Sequence, residues 1–383
     1  MRRSHGCRCA HDFLPRFVIA PVCGDGAGDV PEASGVEMAL PVSGAGGAGS
    51  SVSLFSIEGR SSAPRWRDQF AATQSLGYPF AIMSFRTEID RIAEQVQARL
   101  SVLLGEDTPV PGPNADATAP LAEAMRYAAL GGGKRLRPFL LVQAAQLFDV
   151  SDQTALDAAC ALECIHCYSL VHDDLPAMDD DPLRRGRPTV HIAFDEATAI
   201  LAGDSLLTIA FEIISAPRCH DDPAIRAELT HLLAKASGWQ GMALGQALDL
   251  AAERRRFSPE ETTAMQMLKT GALFRFACEA GAVLGRADAA SRNALIRYAS
   301  AFGQAFQLAD DLLDAEGDAA AMGKAASKDA ERGKATLVGL LGIDGAKAHL
   351  AGLVAEAEEA LAPFGDRAAM LTDAARFVAE RRS

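Results

Sequence analysis

Apolar side chains return every three or four positions along most of this chain, the spacing of one helical face. From Met83, Ile89, Ile92, Val96, Leu100 and Leu103 form a single stripe. The same period predicts helices over 119–130, 138–149, 153–174, 189–215, 222–236, 237–254 and 288–314, with three shorter helices closing the chain. Ser258-Pro259-Glu260-Glu261 reads as a capping box with proline in the first turn, opening a further helix through Leu268. No segment alternates as a half-buried strand does, so the expectation is an all-α bundle of ten or more helices around an apolar centre.

Residues 1–82 lack this pattern. They hold seven arginines, seven carboxylates and the run SGAGGAGSSVS, and they read as a low-complexity leader. Pro15 and Arg16 break the one stretch resembling a secretory signal, and Asp12, Asp25 and Asp29 weigh against a transit peptide. The expected catalytic domain is therefore 83–383, with Met83 as its natural start. Lys+Arg total 37 against Asp+Glu 50, and the whole net charge of −13 falls on that domain. This sign argues against nucleic-acid binding. No unbroken apolar run of membrane-spanning length occurs, so no membrane span is expected.

The charge is not evenly spread. Residues 172–186 read HDDLPAMDDDPLRRG and 307–314 read QLADDLLD, both beside strongly apolar residues. Pro176 should end the preceding helix near Asp174, leaving Asp173 and Asp174 where the helix dipole disfavours anions. Asp310 and Asp314, four apart, would repel on one face. A divalent cation relieves both conflicts, and Mg²⁺ typically joins one or two carboxylates to substrate phosphates. Cations stand nearby in two sets. Gly131-Gly132-Gly133 leads into Lys134, Arg135 and Arg137, and Arg184-Arg185 follows the first acidic run. Lys269-Thr270 and the later Lys324 and Lys334 make up the rest. The glycine turn is not a nucleotide P-loop, since Ala128 and Arg135 occupy positions that need Gly and Ser/Thr. Cys160, Cys164 and Cys167 share a helix face beside His166 and read as small buried hydrophobes rather than zinc or cluster ligands. The cysteine usage suits a reducing cytoplasm.

Taken in order, GGGKRLRP, DDLPAMDDDPLRRG, LKTGALF, FQLADDLLD and GKAT closely resemble the trans-isoprenyl diphosphate synthases, especially the bacterial-type farnesyl-forming branch. The resemblance implies the isoprenoid-synthase helical fold around a deep cavity, usually in a homodimer. It implies about three Mg²⁺ held by Asp173, Asp174 and Asp179 on one side and by Asp310, Asp311 and Asp314 on the other. Lys134, Arg137, His166 and Arg185 match the pocket for the isopentenyl diphosphate headgroup. Arg184, Lys269, Thr270, Gln307, Lys324 and Lys334 match the allylic diphosphate site. The implied reaction ionises the allylic diphosphate, adds isopentenyl diphosphate and loses a proton, with no protein nucleophile. Tyr168, five residues before Asp173 and about 7–8 Å along the helix, matches the residue that stops the growing chain. With the two extra residues Pro176 and Ala177 it implies a C15 product. Geranyl- or geranylgeranyl-forming activity, a terpene cyclase, a non-catalytic synthase subunit and a general phosphate- or metal-binding protein are the alternatives. Leu244 departs from the family's usual small residue.

Overall fold

The structure, a computed structural model, describes residues 84–105, 115–321 and 337–380. The leader, Met83, Lys324 and Lys334 lie outside the described residues. Thirteen α-helices are described: α1 Phe85–Leu103, α2 Ala115–Ala129, α3 Leu136–Gln146, α4 Asp152–Asp173, α5 Val190–Ala193, α6 Glu196–Ser215, α7 Pro223–Ser237, α8 Met242–Ala252, α9 Pro259–Gln266, α10 Ala272–Leu284, α11 Ala289–Ala321, α12 Leu337–Leu361 and α13 Ala369–Glu380. A π-helical turn, Met267–Gly271, joins α9 to α10, and a 3₁₀ turn, Ala362–Ala368, joins α12 to α13.

Helix α4 is the hub. Ser151 caps its start by accepting from Thr154 N at 3.3 Å, and helix geometry ends at Asp173, three residues before Pro176. Its buried face is made of Ala155, Ala158, Ala159, Ala161, Cys160, Cys164 and Cys167 between Leu162 and Ile165. Such small side chains let α1, α3, α6 and α10 approach closely around it. The three cysteines are free and buried, and burial pushes each thiol up, Cys167 to about 12. The reading as small hydrophobes therefore stands. Helices α3 and α10 meet at backbone distance, since a Cβ at Gly281 would stand 2.6 Å from Ala145 N. On the far side, Tyr298 of α11 donates to the Leu371 carbonyl at 2.7 Å and fastens α13.

Several expectations change in detail. The helix expected over 189–215 breaks at Phe194, because the Asp195 carboxylate accepts from Thr198 N at 2.8 Å and caps a new helix. The helix expected from 237 starts at Met242, since Ser237 belongs to the end of α7 and Gly238 and Gly241 form the link. At the C-terminus α12 is 25 residues long, with non-helical backbone at Gly342, where three short helices were expected. Two short strands do exist, Leu183–Arg184 paired antiparallel with Arg187–Pro188. By length and composition Asp152–Asp173, Glu196–Ser215 and Leu337–Glu380 could each cross a bilayer, but α4 spends its apolarity inside the protein. Helix α6 does not: Ile200 and Leu201 are 44% and 52% exposed.

Candidate active site

The first acidic run folds back on the end of α4. Asp179 N donates to the Asp173 carbonyl at 2.8 Å and Asp180 N to the Leu175 carbonyl at 3.2 Å, so the Pro176-Ala177 insertion closes a tight loop. Asp173 and Asp179 are brought together. Burial raises the Asp173 carboxyl to about 6; Asp179 and Asp174 add to the rise, while Lys269 and Arg184 oppose it. Asp174 faces the other way. It is 3% exposed, and its Oδ1 accepts from Arg184 Nε at 2.7 Å and Nη2 at 2.6 Å. Its place is that of a buried anchor for Arg184.

Across from Asp173 stands the π turn. The wider turn carries Lys269 and Thr270 toward the same space, a common use of π geometry. Lys269 Nζ meets Asp249 Oδ2 of α8 at 2.7 Å. Burial pulls its ammonium down, but Asp249, Asp173 and Asp179 outweigh that and hold it above its ordinary value. Helix α8 reaches this turn because Gly245 has no side chain: a Cβ there would stand 2.1 Å from Lys269 N. Leu244 beside it is only half-buried and does not make this contact.

The second cationic set is built on the glycine turn, where Gly131 and Gly133 leave room for the Arg187 and Arg185 side chains. Arg185 and Gly186 form a two-residue hairpin loop with φ of 54° and 74°. Arg185 Nη1 donates to the Gly132 carbonyl, and a Cβ at Gly133 would run into the Arg185 guanidinium. Arg187 lies 4.1 Å over the Tyr127 ring, while the Tyr127 hydroxyl donates to the Pro188 carbonyl at 2.7 Å. The hairpin carrying Arg184 and Arg185 is thus pinned to the glycine turn.

One expected cation is elsewhere. Arg135, with φ of 47°, is buried, donating to Glu163 at 2.6 Å, Gln97 at 2.8 Å and the Ala129 carbonyl at 2.6 Å. It ties the turn to α1 and α4 and presents nothing at the mouth. Arg137 does face the space. Its Nη1 lies 3.4 Å from His166 Nε2 and its guanidinium 4.7 Å from the Phe274 ring centroid. Its Nε is buried with no hydrogen-bond partner among the described residues. Burial lowers Arg137 to about 10, with Arg185 adding to the effect and Glu163 opposing it. Burial, then Arg137 and Arg185, push His166 well below the usual histidine range, so its ring is neutral. Lys134 is exposed, stands 5.7 Å from the Phe377 ring of α13 and is not among the residues lining the site.

Between the two sets lies a cavity of about 360 Å³. Arg137, His166, Asp173, Lys269 and Thr270 all reach it, and Tyr168 lies on its apolar wall with Met242, Leu250 and Leu273. Asp310 and Asp311 approach from α11: the Asp310 charge bears on Arg137, and Asp311 Oδ2 accepts from Gln266 Nε2 at 3.4 Å. Gln307 and Asp314 share that helix, but they do not line the cavity. Two site residues escaped the sequence reading, Asp249 and Gln246. Gln246 Nε2 is buried at the cavity wall without a partner among the described residues. Their signal was available as polar positions at i and i+3 in the apolar helix GQALD.

The donor set fits magnesium and an anion. Among the described residues no three metal-binding side chains converge on one point. Mg²⁺ does not require this, because it accepts one or two carboxylates and completes its shell with phosphate oxygens and water. The raised Asp173 carboxyl suits a cation, and the unpartnered Arg137 Nε suits an anion.

The comparisons with known proteins agree. A family model described as polyprenyl synthetase matches residues 118–362. A farnesyl diphosphate synthase of Haemophilus influenzae is 50% identical over 235 residues, 60% of this chain and 78% of that protein. One from Escherichia coli is 43% identical over 290 residues, 74% of this chain and 94% of its own. The crystal structure of an FPP/GFPP synthase from Zymomonas mobilis superposes with a TM-score of 0.69 at 46% identity, covering 77% of this chain and 98% of that one.

Proposed function

This chain belongs to the polyprenyl synthetase family, and on that premise we propose that it condenses isopentenyl diphosphate head-to-tail with dimethylallyl and geranyl diphosphates, giving (2E,6E)-farnesyl diphosphate. The observation that carries the reading is one cavity with Arg137 and His166 on one wall, Asp173 and Lys269 on the other, and Tyr168, Met242, Leu250 and Leu273 lining its apolar part. The half-buried Arg137, with neutral His166, Lys134 and Arg185, takes the isopentenyl diphosphate. Arg184, Lys269 and Thr270, together with Gln307, Lys324 and Lys334, take the allylic diphosphate.

Asp173 and Asp179, with Asp310, Asp311 and Asp314, would hold about three Mg²⁺, which when bound neutralise the charge that gathers on a departing diphosphate. Arg184 and Lys269 add fixed positive charge at the same place, which favours breaking the allylic C–O bond. The Thr270 hydroxyl and Gln307 amide oxygen shield the carbocation. Met242, Leu250 and Leu273 keep water from it. Isopentenyl diphosphate, held by Arg137, then attacks through its double bond, and the proton leaves with pyrophosphate. Tyr168, about one and a half turns below Asp173, ends growth at C15.

An intact isopentenyl pocket favours a synthase over a terpene cyclase, and two complete aspartate motifs favour a catalytic chain over a silent subunit. The exposed Ile200 and Leu201 of α6 support a homodimer packed through that helix. Free, buried cysteines suit the cytoplasm. The test is incubation of the full chain with Mg²⁺, isopentenyl diphosphate and each allylic primer, followed by sizing of the products. A C15 product from dimethylallyl and geranyl primers is expected. No condensation with any primer overturns the reading, and a C10 or C20 end-product transfers it to a geranyl- or geranylgeranyl-forming enzyme.

A further inference from the structure

A tyrosine stops a growing chain only if its ring stays across the path. Tyr168 has staggered alternatives, and the side chains packed around it choose among them. His172 stands four residues on, on the same face of α4, and packs edge-to-face with Tyr168 at 5.8 Å between centroids and 77° between planes. Such an edge-to-face contact adds to what burial of the ring alone contributes.

His172 is itself held by another helix. Its Nε2–H donates to the Ile200 carbonyl of α6 at 3.1 Å, which fixes the tautomer as well as the ring plane. The imidazole lies in a notch left by Gly203: a Cβ there would stand 2.1 Å from His172 Nε2 and 2.4 Å from Cδ2. Any side chain at 203 evicts the ring. A backbone acceptor and a missing side chain on α6 therefore define one position for His172, and His172 defines one for Tyr168.

We propose that His172 is a specificity-determining positioning residue: locked into α6 by the Ile200 carbonyl and Gly203, it braces Tyr168 and thereby fixes the length of the product. This rests on the chain elongation proposed above, and it adds that the stop is a three-part device spanning two helices. The coupling runs from the α6 backbone through His172 to the Tyr168 ring, and both side chains line the cavity.

The full-length chain with Mg²⁺, dimethylallyl diphosphate and excess isopentenyl diphosphate provides the test, read as the ratio of product lengths rather than as rate. In His172→Ala the fraction of product one or more five-carbon units longer than wild type rises at least about fivefold. Gly203→Ala, which leaves His172 in place chemically but expels it sterically, shifts the ratio the same way. Tyr168→Ala lengthens products most, and Tyr168→Ala/His172→Ala gives the same distribution as Tyr168→Ala alone. Unchanged product length in folded His172→Ala overturns the brace, and further lengthening in the double variant shows His172 to be an independent wall, which also overturns it. A wild type that condenses nothing instead overturns the synthase reading, so the two failures are distinct.

Discussion

The two walls of the cavity solve opposite electrostatic problems. On the wall of Arg137 and His166 the protein supplies the partners itself: Arg135 is paired with Glu163, His166 is neutral, Arg185 is fastened to the glycine turn, and the half-buried Arg137 turns to the cavity. The opposite wall is left strained. Asp173, half-buried beside Asp179, has its carboxyl raised to about 6 by desolvation. The wall of Arg137 is preorganised to accept an anion, and the wall of Asp173 is suited to a cation. This division lets a single chain distinguish two diphosphates that are chemically alike.

Breaking the metal wall gives the largest expected effect. Asp173→Asn and Asp310→Ala should each lower kcat/KM by about a thousandfold or more, since a misplaced metal forfeits several kcal/mol of charge stabilisation. Steady-state kinetics over a magnesium series checks this, and a loss under tenfold would contradict the assignment. On the other wall, Arg137→Gln removes one charge-assisted contact, so KM for isopentenyl diphosphate should rise about 10- to 100-fold while KM for the allylic primer stays within about twofold. An equal rise for both substrates would erase the distinction between the walls.

The two walls also respond differently to pH. Because the folded state raises Asp173 to about 6, the metal-free chain binds that proton more tightly than the unfolded chain does. Its contribution favours folding below about pH 4 and is lost as pH rises through about 6. Thermal unfolding in chelator should show wild type losing about 1–2 kcal/mol relative to Asp173→Asn between pH 4 and 7, after allowance for solvent screening. A constant difference would refute the strain. The smallest effect belongs to His166→Gln. A neutral imidazole is replaced by a neutral amide, so KM for isopentenyl diphosphate should change by no more than about threefold; a loss near that of Arg137→Gln would show that the ring carries charge.

Much of this architecture is written locally. The stripe from Ile89 to Leu100 is buried on α1, the Ser258–Glu261 box caps α9, and Pro176 ends α4 where its missing N–H requires. Local signals could not separate Arg135 from Arg137. The two have the same chemistry two residues apart, and only the partners Glu163 and Gln97, brought from α4 and α1, decide which is buried and paired. The Arg184–Arg187 hairpin was hidden for a related reason. Two-residue strands have no alternation to detect, and their turn depends on a tertiary contact with the glycines. The break before α6 was legible, since Asp195-x-x-Thr198 is a capping signal, but the apolar run around it masked the stop. Asp249 was missed because a lone carboxylate in an apolar helix acquires meaning only when Lys269 arrives opposite it.

The hairpin has a thermodynamic consequence. Arg184 is anchored by Asp174 and Arg185 by the Gly132 carbonyl, and the two are neighbours on one hairpin turn. Any ordering of that turn by one diphosphate is ordering the second need not supply, so each ligand should lower the dissociation constant of the other by the same factor. The enzyme would then fill as a pair rather than as two independent sites, and an ionised allylic group would rarely form without its acceptor already in place.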